Sequence, residues 1–77
     1  MDVEAARRLI AEELAVGLDA VVDEAEFRRD LGADSLDLVT MTMLLEEKFD
    51  LEISEDEAET CTSVADALRL LRAKAPC

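Results

Sequence analysis

The residue best suited to carry chemistry is Ser35, which lies in the segment Asp34-Ser35-Leu36-Asp37. A serine that attacks a substrate unaided needs a neighbouring base, and this sequence contains no histidine. Its two lysines, Lys48 and Lys74, stand far along other segments. A small hydrolase built on Ser35 is therefore disfavoured. The hydroxyl is either a simple helix cap or an acceptor for a group that a different enzyme transfers to it.

Ser35 is placed at the start of a helix. Residues 35–49 read as a helix with Asp34 or Ser35 as its N-cap and Asp37 in its first turn. The preceding stretch, from Gly17 to Asp34, is a long irregular connection, and loops of that length are often functional. A hydroxyl at such a junction faces outward, and a phosphate attached there would meet favourable backbone N–H dipoles.

Three further helical segments surround this junction. The first runs from about Asp2 to Val16 and ends at Gly17, a short turn follows Ser54, and a last helix follows Ser63. Four apolar residues should anchor the long loop to the bundle: Val21, Val22, Phe27 and Leu31. Four others should form the buried face of the last helix, before the domain closes at Pro76: Val64, Ala67, Leu68 and Leu71. We predict one all-α domain over residues 1–77.

The helix that begins at Ser35 has two apolar faces. At about 100° per residue, one broad arc faces the core and contains Leu38, Met41, Thr42, Leu45 and Phe49. Nearly opposite lie Leu36, Val39 and Met43, which we call the apolar stripe. The carboxylates that flank it are Asp37, Glu46, Glu47 and Asp50. A small bundle has no second core to cover the stripe, so we expect an exposed docking surface unless the long loop lies over it.

Composition limits the partners. Twenty acidic residues against eight basic ones give a net charge of −12, which disfavours nucleic acid and anionic membrane surfaces and favours basic proteins. No apolar run approaches the roughly 20 residues of a membrane span, and no basic signal sequence opens the chain. We expect a cytoplasmic monomer that starts at Met1 as a discrete protein.

The cysteines and the acidic cluster suggest no further site. Cys61 fits a small buried position and Cys77 an exposed end, so neither a disulfide nor a zinc site is expected. Residues 46–59 carry eight carboxylates and one lysine. Solvated charge explains them better than weak calcium or magnesium binding, because no EF-hand spacing is present.

The segment Asp30-Leu31-Gly32-Ala33-Asp34-Ser35-Leu36-Asp37 resembles the attachment motif of the acyl carrier protein family. The similarity continues in order through residues 44–50, Glu52-Ile53, residues 55–58 and Thr62-Ser63-Val64. It spans residues 30 to about 71. The first helix and the loop that follows it resemble the family in pattern and length more than in particular residues.

The resemblance implies a small four-helix bundle, three longer helices and one short one, with a long loop between the first and second. It implies that a phosphopantetheinyl transferase attaches 4′-phosphopantetheine to Ser35, within the matching motif residues Asp34 and Leu36, and that acyl groups are held as thioesters on this arm. The chain itself would catalyse nothing. The partner-facing positions that match are Leu36, Asp37, Val39, Met43 and Glu47, to which the charge pattern adds Glu46 and Asp50. The acyl cavity would be lined by Met41, Leu45, Ile53 and Cys61.

Two departures from the family pattern bear on the partners. Thr40 and Lys48 stand where the family often has glutamate, which weakens the acidic recognition face. The partners implied are basic surfaces of synthase, acyltransferase or ligase enzymes in fatty acid or polyketide synthesis. Two alternatives stay open: an aminoacyl or peptidyl carrier of a nonribosomal-type pathway, and an unmodified acidic adaptor that binds proteins through the apolar stripe.

Overall fold

The computed structural model describes residues 2–75. It contains four α-helices, in the segments where the sequence shows helical periodicity. The helices are α1 (Val3–Leu14), α2 (Ser35–Phe49), α3 (Glu55–Thr60) and α4 (Val64–Lys74), with a short 3₁₀ helix at Leu18–Ala20. Within the described residues the only β-type pairing is one isolated bridge between Glu26 and Ser63. The predicted all-α bundle of three longer helices and one short helix, with its long loop between α1 and α2, is confirmed.

Helix α1 ends earlier than the sequence suggested. Its left-handed terminal residue is Ala15 at φ 56°, whereas Gly17, predicted to close the helix, is extended at φ −69° and precedes the 3₁₀ helix. The N–H of Val16 reaches back to the carbonyl of Ala11 at 3.0 Å, which requires the left-handed turn at residue 15. The left-handed conformation is costly for an alanine, and Val16, the residue that follows it, packs against the core.

The long loop is anchored by three of the four predicted residues. Val21, Phe27 and Leu31 are buried, with Phe27 only 1% exposed. The prediction for Val22 was wrong, because its side chain is 45% exposed while its neighbour Val21 takes the position in the core. The loop therefore packs as part of the bundle through alternate, rather than successive, apolar residues.

Backbone hydrogen bonds fix the second half of this loop to the junction between α3 and α4. The N–H of Phe27 donates to the carbonyl of Thr62 at 3.0 Å, and the N–H of Val64 donates to the carbonyl of Ala25 at 2.9 Å. The loop segment around Ala25 and Phe27 is thus held against the start of α4.

Helix α3 is short and depends on its ends. Ser54 and Glu57 form a reciprocal capping box, and the Glu57 carboxylate also accepts a hydrogen bond from the Lys74 ammonium at 2.9 Å. These interactions, the Lys74 bond first, lower the pKa of Glu57. Because Lys74 lies at the end of α4, this ion pair joins the two helices.

Helix α4 begins with a second such cap. Ser63 is the N-cap residue, and the Asp66 carboxylate accepts hydrogen bonds from the hydroxyl of Thr62 and from the backbone N–H groups of Thr62 and Ser63. These bonds lower the pKa of Asp66, the Thr62 hydroxyl having the largest effect. The predicted buried face of α4 is confirmed. The predicted end at Pro76, like Cys77, lies outside the described residues.

The cap at Asp66 predicts a pH dependence of stability. A carboxylate whose folded-state pKa is lowered stabilises the fold above its unfolded-state pKa of about 4, and that contribution is lost as the pH falls through the lower folded-state value. Urea unfolding of wild type and Asp66→Asn from pH 7 to pH 2 should show a stability difference that is largest near neutrality and shrinks below about pH 4. Asp56→Asn removes the same charge from the first turn of α3 and is the control. A difference between wild type and Asp66→Asn that is independent of pH would contradict this role.

Candidate functional site

Ser35 is the first residue of α2, and its hydroxyl is not used by the helix cap. Asp34 is the N-cap residue: its carboxylate accepts the N–H of Asp37 at 2.8 Å, and the Asp37 carboxylate accepts the N–H of Asp34 at 3.2 Å. The sequence had left the cap open between Asp34 and Ser35. Because the two aspartates satisfy the backbone reciprocally, Ser35 is exposed and its oxygen remains available to another molecule.

One side chain contacts that oxygen. Among the described residues, the hydrogen-bond partner of Ser35 Oγ is Arg28, whose Nη2 donates to it at 3.0 Å. A guanidinium is always protonated and cannot remove a proton. The contact therefore positions the hydroxyl without activating it. Sequence reasoning missed Arg28, because Arg28 lies seven positions before Ser35 in an irregular loop and no periodicity relates the two.

A cleft of about 600 Å³ opens beside Ser35 and extends between α2 and α3. Part of its wall is apolar, formed by Phe27, Leu38, Val39, Met43, Ile53, Ala58 and Cys61. Of the residues predicted for an acyl cavity, the structure brings Ile53 and Cys61 to this wall. Met41 and Leu45 do not line it: they are 4% and 2% exposed and belong to the central core. Both side chains pack among the other buried residues of the core, so they do not reach the cleft.

Cys61 contributes to the wall as an apolar group. It is half-buried, its thiol donates to the carbonyl of Glu57 at 3.5 Å, and burial raises the pKa of the thiol. The nearby carboxylates of Asp66 and Glu57 raise the pKa further. A protonated thiol in this position is a weak nucleophile and a suitable neighbour for hydrocarbon.

The apolar stripe is exposed, and the loop between α1 and α2 does not cover it. Leu36 is 72%, Val39 57% and Met43 56% exposed. Val39 and Met43 also line the cleft, so the stripe and the cleft wall are continuous along α2.

The four carboxylates that flank the stripe differ in their surroundings. Asp37 belongs to the α2 cap, and Glu46 accepts a hydrogen bond from the backbone N–H of Ile53 at 3.1 Å, which ties α2 to the segment before α3. Glu47 and Asp50 are exposed. The last two carboxylates are therefore the ones that a partner can contact without breaking an internal bond.

The described residues hold no group of three histidine, cysteine, aspartate or glutamate side chains arranged for a metal ion. None of the helices in residues 2–75 combines the length and the apolar character needed to cross a bilayer. The cytoplasmic location stays a prediction.

An exposed hydroxyl without a neighbouring base, at the mouth of a partly apolar cleft, fits one class of protein: a small helical domain that another enzyme modifies. Comparison with known proteins agrees. A family model described as a phosphopantetheine attachment site matches residues 4–71. An acyl carrier protein from Sulfurovum sp. (strain NBC37-1) is 46% identical over 65 residues, which are 84% of this chain and 87% of that protein.

The fold gives the same result. The solved structure of an acyl carrier protein from Enterococcus faecalis matches with a TM-score of 0.81 at 26% identity, covering 95% of this chain and 92% of that one. The chain belongs to the acyl carrier protein family, whose members are carriers and not catalysts. The resemblance seen in residues 30–71 is confirmed, and the match extends through α1.

Membership of this family implies a covalently attached 4′-phosphopantetheine. The residues present fit such a group. A phosphodiester needs an accessible hydroxyl, which Ser35 offers, and the Arg28 guanidinium beside that hydroxyl is a donor suited to phosphate oxygens. The arm beyond the phosphate needs room, and the cleft provides it next to Ser35.

Proposed function

We propose that this protein holds acyl intermediates as thioesters on a 4′-phosphopantetheine arm attached to Ser35 and shuttles them between enzymes of fatty acid or polyketide biosynthesis. The observation that supports this most is the position of Ser35 Oγ, exposed at the start of α2 and beside the cleft. When bound, the arm supplies a terminal thiol whose thioester activates the acyl carbonyl for transfer.

The chain itself presents the arm at Ser35 and shelters the acyl chain in the cleft. The capping box of Asp34 and Asp37 fixes the backbone on both sides of Ser35, so the attachment point is rigid while the arm is flexible. The apolar wall, Ile53 and Cys61 included, offers burial to an acyl chain at about 25 cal/mol for each Å² removed from water. A partly open cleft gives an acyl chain both a sheltered position and a way out.

We propose that the apolar stripe and its carboxylates form the surface on which partner enzymes dock. Leu36, Val39 and Met43 supply contact area next to Ser35, and the carboxylates attract basic surfaces and orient the encounter. The phosphopantetheinyl transferase is the first partner that this surface must meet. Synthase, acyltransferase or ligase enzymes with basic surfaces then dock on the same surface.

The docking surface predicts a salt-dependent rate. Removing the charges of Glu47 and Asp50 as the double variant Glu47→Gln/Asp50→Asn should lower the kcat/KM of modification by a transferase several-fold at low ionic strength, because steering toward a basic partner is weakened. The same variant should show a flatter decline of kcat/KM with added salt. Glu46 is left unchanged, since its bond to Ile53 is structural.

The control for this experiment is the double variant Glu4→Gln/Glu12→Gln on α1, which changes the net charge by the same amount away from the stripe. Its rate should follow that of wild type. Equal losses in both double variants would indicate a general effect of net charge and would refute a localised docking surface.

Loading separates the proposed carrier from an aminoacyl or peptidyl carrier. With the arm in place, we expect acyl ligases and acyltransferases to charge the thiol, and adenylating enzymes for amino acids to charge it poorly. Preferential charging by the amino acid enzymes would overturn the assignment to fatty acid or polyketide synthesis while leaving the arm on Ser35 intact.

A further inference from the structure

Arg28 is one of four basic residues that form no ion pair within residues 2–75; the others are Arg8, Lys48 and Arg72. Four of the cations in residues 2–75 form ion pairs: Arg7 with Asp23, Arg29 with Glu26, Arg69 with Asp66 and Lys74 with Glu57. Arg28 pairs with no carboxylate of the described chain, although the net charge is −12. Its guanidinium instead donates to Ser35 Oγ, the oxygen to which the arm would be joined.

The backbone that carries Arg28 is rigid. Phe27, one residue before it, is buried and bonded to Thr62 through its N–H. The turn closes on itself because the N–H of Ala33 donates to the carbonyl of Phe27 at 2.8 Å, and the Asp30 carboxylate accepts the N–H of Glu26 at 2.8 Å. Arg28 is thus presented toward the start of α2 by a fixed loop, so that only its side chain must be ordered.

The electrostatics of the cleft make this cation important. Arg28 is the one basic residue on the cleft wall among the residues that the structure describes. The acidic residues of the same wall are Glu26, Glu46, Glu55 and Glu59. A phosphodiester anion at the mouth would be repelled by this wall unless a cation lay beside it.

We propose that Arg28 binds the phosphate of the arm once the arm is attached to Ser35, and so holds the base of the arm at the mouth of the cleft. This inference rests on the proposed attachment at Ser35. A group joined to Oγ lies next to a donor already 3.0 Å from that oxygen, and a guanidinium forms charge-assisted hydrogen bonds with phosphate oxygens. Arg28 acts as a positioning residue. Its positive charge offsets the repulsion between the phosphodiester of the arm and the glutamates of the cleft wall.

The test is ³¹P NMR of the modified protein, in wild type and in Arg28→Gln. Both are driven to complete modification with coenzyme A and excess transferase, and intact mass confirms the arm before the spectra are recorded. At low salt the phosphodiester resonance of Arg28→Gln should be shifted from that of wild type. Raising the salt to 1 M should move the wild-type resonance toward the variant position and leave the variant nearly unchanged, because salt screens an exposed contact.

Arg29→Gln is the matched control, since Arg29 is the neighbouring exposed arginine and pairs with Glu26 and Asp30 instead. Its resonance should follow wild type at every salt concentration. If all three proteins gain the arm and give the same resonance and the same salt response, the role of Arg28 is refuted while the attachment at Ser35 stands. If wild type gains no arm, the proposed function itself fails.

Discussion

The Ser35→Ala variant will gain no mass when it is incubated with a phosphopantetheinyl transferase and coenzyme A, whereas wild type will gain one phosphopantetheine unit. The effect is all or none, because the variant lacks the oxygen that forms the phosphodiester. The variant should remain folded, since the α2 cap is made by Asp34 and Asp37 and does not use the Ser35 hydroxyl. Intact-mass spectrometry measures the difference directly.

Ser54→Asp is the control, because Ser54 is also an exposed serine at the beginning of a helix and aspartate can replace it as a cap. This variant should gain the arm as wild type does. A mass gain in the Ser35→Ala variant would mean that the arm is attached to a different residue. No gain in wild type would favour the remaining alternative, an unmodified adaptor that uses the apolar stripe for protein binding alone.

The Phe27→Ala variant will lose much of the stability of the fold. Phe27 is 1% exposed and among the largest fully buried side chains, and replacing a buried phenylalanine with alanine costs about 3–5 kcal/mol. A chain of 77 residues has a total free energy of unfolding of about 4–12 kcal/mol, so the loss is a large fraction of it. Because the free energy of unfolding falls by about 1–3 kcal/mol for each molar of urea, the unfolding midpoint should be lowered by about 1 M or more.

Leu36→Ala is the comparison for this measurement. Leu36 is an apolar residue at 72% exposure, and its truncation should change the free energy of unfolding by no more than about 0.5 kcal/mol. A similar loss in both variants would mean that the stripe is buried in solution. A negligible loss in Phe27→Ala would mean that the long loop is not packed on the bundle.

Much of the fold follows from local sequence signals. The caps at Asp34, Ser54 and Ser63 are each followed three residues later by an acidic side chain, and all three form reciprocal boxes in the structure. The exposure of the apolar stripe also follows from the sequence, because helical periodicity separates it from the core face of α2 and a bundle this small has no second core.

Other features depend on contacts that a one-dimensional pattern does not contain. Glycine is the usual residue in a left-handed helix end, yet the left-handed residue that follows α1 is Ala15, and Val16 after it packs against the core. Met41 and Leu45 were predicted to line an acyl cavity and lie in the core, since periodicity marks an apolar face without showing which part of it meets a cleft. The contact of Arg28 with Ser35 depends on the path of an irregular loop.

The continuity of stripe and cleft suggests how docking and release are related. Val39 and Met43 are more than half exposed and also line the cleft, so a partner that covers the stripe touches the same side chains that an acyl chain would contact. Binding of a partner and movement of the acyl chain would then act on shared residues, and Met43 has the flexible side chain to accommodate both.

The central claim is that Ser35 carries the arm and that the arm carries the acyl group as a thioester. The most direct test is to modify the protein with an acyl-coenzyme A and a transferase, locate the added mass by peptide fragmentation, and then treat the sample with neutral hydroxylamine, which cleaves thioesters. We predict that the mass is found on the peptide containing Ser35 and that hydroxylamine removes the acyl group while leaving the arm. An added group on a different residue, or an acyl group that resists hydroxylamine, would contradict the claim.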